Sequence, residues 1–375
     1  MSRLTAALIV RDEQAFIEGC LASLVDHVDE IVVVDTGSRD DTVERALHYP
    51  IKLSHFTWCD DFSAARNFAL DQASGDWILY IDADERFEVP SRDALAAVLT
   101  DERAIAYNLR FHPRIDWTPY AELRLFRNDP RIRFRGSIHE RVHEGVEAVV
   151  RADGKTIMDC DLALQHLGYE DDQTHKNPRN IPLLRARLAR DPSHLFSWWH
   201  LGQCLALAGD EDGAIEAWSS GAAAARARPS ELRSLSDALS AASLIRLKIS
   251  RGEDVSAELQ QALALYPGHL SLQWMSATLA LSRGDDDIAR PVLERLAAID
   301  PDRFYDRLVS YDKALFRHLA KEALALCHFR AGRYAKAACL YRMAAAHAPN
   351  REECEVKAAL AEMRTKTTTA DRRGP

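Results

Sequence analysis

The segment Trp77-Ile-Leu-Tyr-Ile-Asp82-Ala83-Asp84-Glu85 constrains this chain more than any other. An apolar run of this kind reads as a strand buried on both faces. It ends in two carboxylates one residue apart, which a closed core does not tolerate because desolvated like charges repel. At the C-terminal edge of a strand the same pair can hold a hard divalent cation, which takes oxygen ligands and keeps places for water and substrate phosphate. The competing reading is a strand followed by a solvated acidic turn, and a D-x-D alone does not decide between them.

Two earlier segments repeat the pattern. Leu4-Thr-Ala-Ala-Leu-Ile-Val10 runs into Arg11-Asp12-Glu13, then into a helix pattern with Phe16, Ile17, Cys20, Leu21 and Leu24 at helical spacing. Glu30-Ile-Val-Val-Val-Asp35 runs into Thr36-Gly-Ser-Arg-Asp-Asp41-Thr42, where Asp40, Asp41 or Thr42 can cap the next helix. Strands alternating with helices imply right-handed crossovers and a parallel sheet, whose ligands bind beyond the carboxyl ends of the strands. Three consecutive strands then place Asp12, Asp35, Asp82 and Asp84 on one rim. The first strand lacks the G-x-G-x-x-G of a dinucleotide site. Gly154-Lys155-Thr156 fails as a phosphate loop because Val149 stands where that motif needs its first glycine.

Together, Val10-Arg-Asp-Glu13, Asp29 to Ser38, Ala65-Arg-Asn67 and Trp77 to Glu85 resemble the family 2 glycosyltransferases over about the first 175 residues. The resemblance implies an α/β nucleotide-diphospho-sugar transferase of the GT-A type, with a Rossmann-like, mostly parallel sheet. It also implies a nucleotide-diphosphate sugar donor, UDP-sugar being the leading choice, with Mn²⁺ or Mg²⁺ and inversion at the anomeric centre. On that basis Asp35 contacts the base or ribose, Asp82 faces the ribose, and Asp84 holds the metal against the diphosphate. Arg66 sits near the nucleotide, and backbone from Ile9 to Arg11 lines the base pocket, with Ala83 between the two carboxylates.

Transfer to an acceptor also needs a general base opposite the leaving group. The region from Glu122-Leu-Arg-Leu-Phe-Arg to Arg135-Gly-Ser-Ile-His-Glu140 supplies candidates: Glu140 first, with Asp116 or Glu122 in reserve, against the reading that Glu140 merely pairs with a nearby arginine. His139-Glu140-Arg141-Val142-His143 also spells H-E-x-x-H, which binds zinc only on a helix. Gly136, Gly145 and the β-branched residues Ile132, Ile138, Val142, Val146, Val149 and Val150 favour strands there instead. His166, at the end of a strand pattern, is a candidate second metal ligand or a satisfied structural histidine.

Beyond Lys176-Asn-Pro-Arg-Asn180 strand signals nearly vanish. Pro192, Pro229, Pro267, Pro301 and Pro349 recur at gaps of 37, 38, 34 and 48 residues, close to the period of paired-helix repeats. Trp198, Leu201, Gly202, Leu205, Gly209, Ala214, Trp218 and Gly221 track the tetratricopeptide (TPR) pattern, as does the last repeat from Leu324 to Pro349. The expected division is therefore a catalytic domain at 1–175, an all-α TPR-like domain at 176–355 and an unstructured tail at 356–375, which has little apolar face to bury. Trp198, Trp199, Trp218 and Trp274 read as core residues rather than a ligand platform.

The formal charge of −9 gives no nucleic-acid footprint, although arginines between 103 and 141 form a basic cluster that suits an anionic acceptor or balances neighbouring acids. Seven scattered cysteines without C-x-x-C spacing indicate free thiols. No apolar run approaches a membrane span, and a cytoplasmic enzyme is expected. The acceptor is a hydroxyl or thiol, on a peptide or protein if the repeats recruit it, otherwise on a polysaccharide. The alternatives are a non-catalytic TPR scaffold with a vestigial nucleotide-sugar fold, and the zinc protease.

Overall fold

The computed structural model describes residues 2–168 and 177–371, with side chains as far as 366. Tyr169 and Lys176, and with them the expected junction at 175/176, lie outside the described residues. The chain forms two compact units, one of residues 1–115 and 119–217, the other of residues 116–118 and 218–375. The units thus meet at 217/218, later in the chain than expected.

The first unit is built on an eight-stranded mixed sheet in the order β3-β2-β1-β4-β7-β6-β8-β5. Its strands are β1 (Leu4–Val10), β2 (Glu30–Asp35), β3 (Lys52–His55), β4 (Trp77–Tyr80), β5 (Glu85–Glu88), β6 (Ala104–His112), β7 (Tyr120–Arg127) and β8 (Thr156–His166). The apolar runs become the central parallel strands, because β1 pairs in parallel with both β2 and β4. Alternate residues of β1 enter opposite layers. Leu4, Ala6, Leu8 and Val10 join one core with α1 (Ile17–Leu24), α2 (Thr42–Ala46) and α4 (Arg92–Thr100), while Ala7 joins the other. That second layer is closed by α3 (Phe62–Gln72) and α5 (His143–Asp153).

Two sequence expectations need correction. The three strands whose ends carry the acids, β1, β2 and β4, are not consecutive, because β3 intervenes and pairs outside β2. Its sequence Lys-Leu-Ser-His hides no apolar run, since its residues stay half-buried or exposed. The apolar segment from Trp77 does end at the two carboxylates: β4 stops at Tyr80, and a turn over 81–84 separates it from β5. Lastly, Val146 and Val149 lie on a helix. With Val142 they are buried at helical spacing, an amphipathic stripe that outweighs their β-branching. Gly145 belongs to that helix, where a Cβ would meet the Arg131 carbonyl oxygen at 2.7 Å and Ile132 Cα at 2.8 Å.

After the sheet, α6 (Asn177–Arg190) and α7 (Leu195–Leu207) still belong to the first unit. A histidine cluster ties α7 to the loop before α5. His139 Nε2 and His200 Nδ1 are 2.9 Å apart, and the His194 ring stacks on that of His139 with centroids 6.4 Å apart. Burial lowers all three, His194 and His200 to about 4.

The second unit continues as antiparallel helix pairs: most of α8 (Glu211–Ala227), then α9 (Leu239–Ser250) with α10 (Ser256–Leu265), α11 (Leu270–Arg283) with α12 (Asp286–Ala298), and α13 (Ala320–Arg330) with α14 (Tyr334–Ala345). Gly252, Gly284 and Gly332 turn the last three pairs at φ of 73°, 84° and 71°, the left-handed region that glycine enters without steric cost. The expected unstructured tail is instead helical to Asp371, as part of α15 (Arg351–Asp371), with Ala358 and Ala361 packed on Ala337 and Tyr341. Small residues suffice there because the helices approach closely. No helix among the described residues is long and apolar enough to cross a membrane, and all seven cysteines are unpaired.

Two outcomes follow. Gly145→Ala should lower stability by about 1–3 kcal/mol in urea titration, because rigid backbone blocks the added methyl. The histidine cluster should make stability fall with acid. Between the ordinary value near 6.5 and about 4, the unfolded chain takes up protons that the folded cluster refuses, so this contribution is full above 6.5 and lost toward 4. Urea midpoints measured from pH 7 to 4.5 should show a slope reduced by roughly one bound proton in His200→Phe, and an unchanged slope would contradict the assignment.

Candidate active site

Parallel pairing of β2, β1 and β4 brings the strand-end acids to one rim, but their surroundings differ. Asp35 is 5% exposed and turned onto its own loop, where Oδ1 accepts the Ser38 N–H at 3.0 Å and Oδ2 the Gly37 N–H at 3.2 Å. His55 Nδ1 lies 3.3 Å from Oδ2. Burial pushes Asp35 upward, but these partners outweigh it and hold the carboxyl below its usual range. Ile9 is half-buried in β1, opposite Val34 of β2, and Arg11 pairs with Asp12 at 3.8 Å. Asp12 itself adopts φ 56° and accepts the Arg39 N–H at 2.7 Å, which joins the ends of β1 and β2.

Arg66 organises the next part of the rim. Asp61 caps α3 by accepting the Ser63 and Ala64 N–H groups, and Arg66 follows one turn later, buried. Its Nη2 donates to Asp82 Oδ1 at 2.8 Å and its Nε to Glu140 Oε1 at 2.5 Å. The guanidinium packs over Tyr80 and Phe134, with 5.2 and 5.5 Å to the ring centroids. Burial opposes its charge, yet Asp82 and Glu140 outweigh burial and raise it above its ordinary value. Asp82 shows the complement: burial pushes it up, while Arg66, Arg124 and His166 bring it down to about 2.

Asp84 meets His166 because of strand register. Antiparallel β5 and β8 pair Glu85 with His166, and the Leu167 N–H donates to the Asp84 carbonyl at 2.8 Å. Asp84 Oδ2 then lies 3.4 Å from His166 Nε2, and both side chains are 10% exposed. Burial would lower His166, but the bond to Asp84 and the charges of Asp84, Glu85 and Asp82 raise it instead. Gly168 closes over this pair, for a Cβ there would lie 2.1 Å from Asp84 Oδ2. Buried Ala83 bridges the two aspartates and gives its carbonyl to Arg86 Nη1 at 3.2 Å.

One buried pair of the site carries no motif in the sequence. Arg124 donates through Nη1 and Nη2 to both oxygens of Glu85, at 3.0 and 2.8 Å, with both residues buried. Asn108 pairs with Leu123 and Tyr107 with Leu125, so Arg124 is the extra residue of a β-bulge that re-aims its side chain. As a result Leu123 and Leu125, two apart, enter opposite layers, which their spacing in the sequence does not reveal. Burial pushes Glu85 up against the opposing pull of Arg124.

Of the three base candidates, Glu140 lies on Arg66 with its side chain 11% exposed. Glu122 accepts from Tyr120 Oη at 3.0 Å and pairs with Arg124 at 3.4 Å. Asp116 is not brought to the rim's unit: it belongs to the second, where it binds Arg317 at 2.8 Å. The H-E-x-x-H segment does not form the helix that zinc ligation needs. His139 has φ 55°, α5 begins only at His143, and no group of three metal-type side chains arises among the described residues.

The sequence profile of glycosyl transferase family 2 matches residues 5–161, and a tetratricopeptide-repeat profile matches residues 173–231. A TPR repeat-containing protein of Synechococcus elongatus is 38% identical over 217 residues, which cover 56% of this chain and 54% of that one. The SPbeta prophage-derived glycosyltransferase SunS of Bacillus subtilis is 29% identical over 222 residues, 57% of this chain and 51% of its own. This chain therefore spans about half the length of these relatives. A solved glucosyl-3-phosphoglycerate synthase from Mycobacterium tuberculosis, in complex with Mn²⁺, uridine-diphosphate and glucosyl-3-phosphoglycerate, covers 44% of this chain and 72% of its own at 16% identity and a TM-score of 0.33. Residues 5–161 thus resemble glycosyl transferase family 2, and residues 173–231 resemble tetratricopeptide repeats.

Proposed function

We propose that this protein transfers a sugar from a nucleoside-diphosphate donor, UDP-sugar foremost, to an acceptor hydroxyl or thiol with inversion at the anomeric carbon. The observation that carries this reading is the rim itself, where Arg66 links Asp82 to Glu140 beside the Asp84–His166 pair. One carboxylate oxygen and one imidazole nitrogen fit a divalent metal that also coordinates phosphate and water. A cation held by Asp84 and His166 would supply Lewis acidity to the departing diphosphate. Asp35 and Asp82, with backbone from Ile9 to Arg11 and at Ala83, are assigned to the nucleoside.

Glu140 is assigned the proton. Arg66 holds Oε1, so the orientation of the carboxylate is fixed and Oε2 remains to accept from the acceptor. As the acceptor oxygen or sulfur bonds to the anomeric carbon, its proton passes to Glu140. The bond from that carbon to the diphosphate oxygen breaks, and its electron pair leaves with the nucleotide. A peptide or protein acceptor is favoured over a polysaccharide because repeat arrays commonly bind extended peptides on their concave faces.

Calorimetric titration of UDP, GDP and their sugars with Mn²⁺ tests the donor site. Metal-dependent binding of one nucleotide should be lost in Asp84→Ala; a folded protein that binds none supports the vestigial scaffold instead. Gly168→Ala, which drives a methyl into Asp84, should weaken that binding by about 10–100-fold. Glu140→Gln should leave nucleotide affinity within about twofold while transfer falls by about 10²–10⁴-fold.

A further inference from the structure

The segment that carries Glu140 is a pinched loop. Arg135 and Arg141 exchange backbone bonds, Arg135 N to Arg141 O at 3.0 Å and Arg141 N to Arg135 O at 3.1 Å. Between them Gly136 has φ 106° and His139 φ 55°, and a loop with two left-handed residues in such a span holds its shape only if its surroundings impose it. On one side the Phe62 N–H, at the start of α3, donates to the Ser137 carbonyl at 3.0 Å. Arg135 pairs with Glu144 at 3.3 Å, and further contacts come from the helices after the sheet.

Arg187 of α6 donates from Nη1 to the Ile138 carbonyl at 3.1 Å, and it passes so close to Gly136 that a Cβ there would lie 2.3 Å from the same nitrogen. His200 of α7 bonds His139 at 2.9 Å, and Phe196 packs edge-on against the His139 ring at 4.7 Å. Ile138 and His139 are the two residues before Glu140, so their fixation sets where its carboxylate meets Arg66.

We infer that Arg187 and His200 are positioning residues: from the first helices of the repeat region they hold the 135–141 loop and thereby place Glu140. Neither touches the reacting atoms. The inference rests on Glu140 being the base for its catalytic meaning, but the placement itself can be tested without substrate.

The readout is the Arg66 Nε–H proton resonance, which a charge-assisted bond to Glu140 shifts and protects. It is assigned by its loss in Glu140→Gln. In His200→Phe, which keeps a ring of similar size but removes the nitrogen, the resonance should broaden or vanish. In His200→Asn, whose amide reaches the same position as Nδ1, it should return, which a merely structural role for the ring would not produce. Arg187→Met should act like His200→Phe. Absence of the resonance from the unaltered protein, or its persistence in both His200→Phe and Arg187→Met, overturns the inference.

Turnover separates this inference from the base assignment. With the nucleotide sugar that binds the unaltered protein, His200→Phe should lower kcat by about 10–100-fold with donor KM within twofold. Full turnover in Glu140→Gln would sink the base reading and leave the resonance result standing. An inactive Glu140→Gln beside a fully active His200→Phe would sink the positioning reading alone.

Discussion

Concentrated negative charge is the constraint on which this rim depends. Asp82, Asp84, Glu85 and Glu140 converge where three of the four side chains have little access to water. Such a cluster persists only with buried counter-charge, because an unpaired ion in a poorly hydrated site costs several kcal/mol. Arg66 bridges Asp82 and Glu140, and Arg124 clasps Glu85 through two parallel bonds. Lysine could not substitute: a planar guanidinium serves two acceptors at fixed angles while its faces lie on Tyr80, as both arginines do here. These ion pairs prepare geometry more than they add stability, since buried pairs roughly repay their own desolvation.

The antiparallel half of the sheet completes what the parallel half begins. Parallel strands deliver Asp35 and the Asp82–Asp84 turn to a common edge, but His166 and Arg124 arrive through a different logic. His166 depends on the β5–β8 register, and a slip of one residue would send its ring to the other face of the sheet. Arg124 depends on a bulge that breaks alternation in β7. Both devices are sheet geometry, and neither alters the composition of the strand that carries it.

That difference explains what the sequence made legible. The runs ending at Val10, Asp35 and Tyr80 are central strands buried on both faces, so hydrophobicity alone exposes them, and the acids at their ends mark the rim. Edge strand β3 buries no apolar run and left no such mark. Val142, Val146 and Val149 carry a helical period that their β-branching obscured, which hid α5. The Glu85–Arg124 pair lies 39 positions apart in sequence, and its link is set by strand pairing rather than spacing. The tail beyond 355 looked unable to fold because few large apolar residues mark it. Alanines at 358 and 361 nonetheless bury fully against Ala337 and Tyr341 where helices pack closely.

The helices after the sheet pose a problem that repeat arrays share. Each pair buries one face on its predecessor, so the first pair needs a cap that is not itself a repeat. In the first unit that cap is the sheet domain's own irregular backbone. Arg187 ties α6 to Ile138, Arg179 lies over the Phe62 ring at 5.1 Å, and His200 joins α7 to His139. The two hydrogen bonds are directional, which suits backbone that must satisfy its carbonyls and hold left-handed turns at once. The boundary of the compact unit follows this physics, for it falls within α8 and not where strands give way to helices. A cut placed at the change in secondary structure would leave Ile138 and His139 without the partners that fix them. The first helix pair is therefore as much a part of the folded sheet domain as it is the start of the repeats.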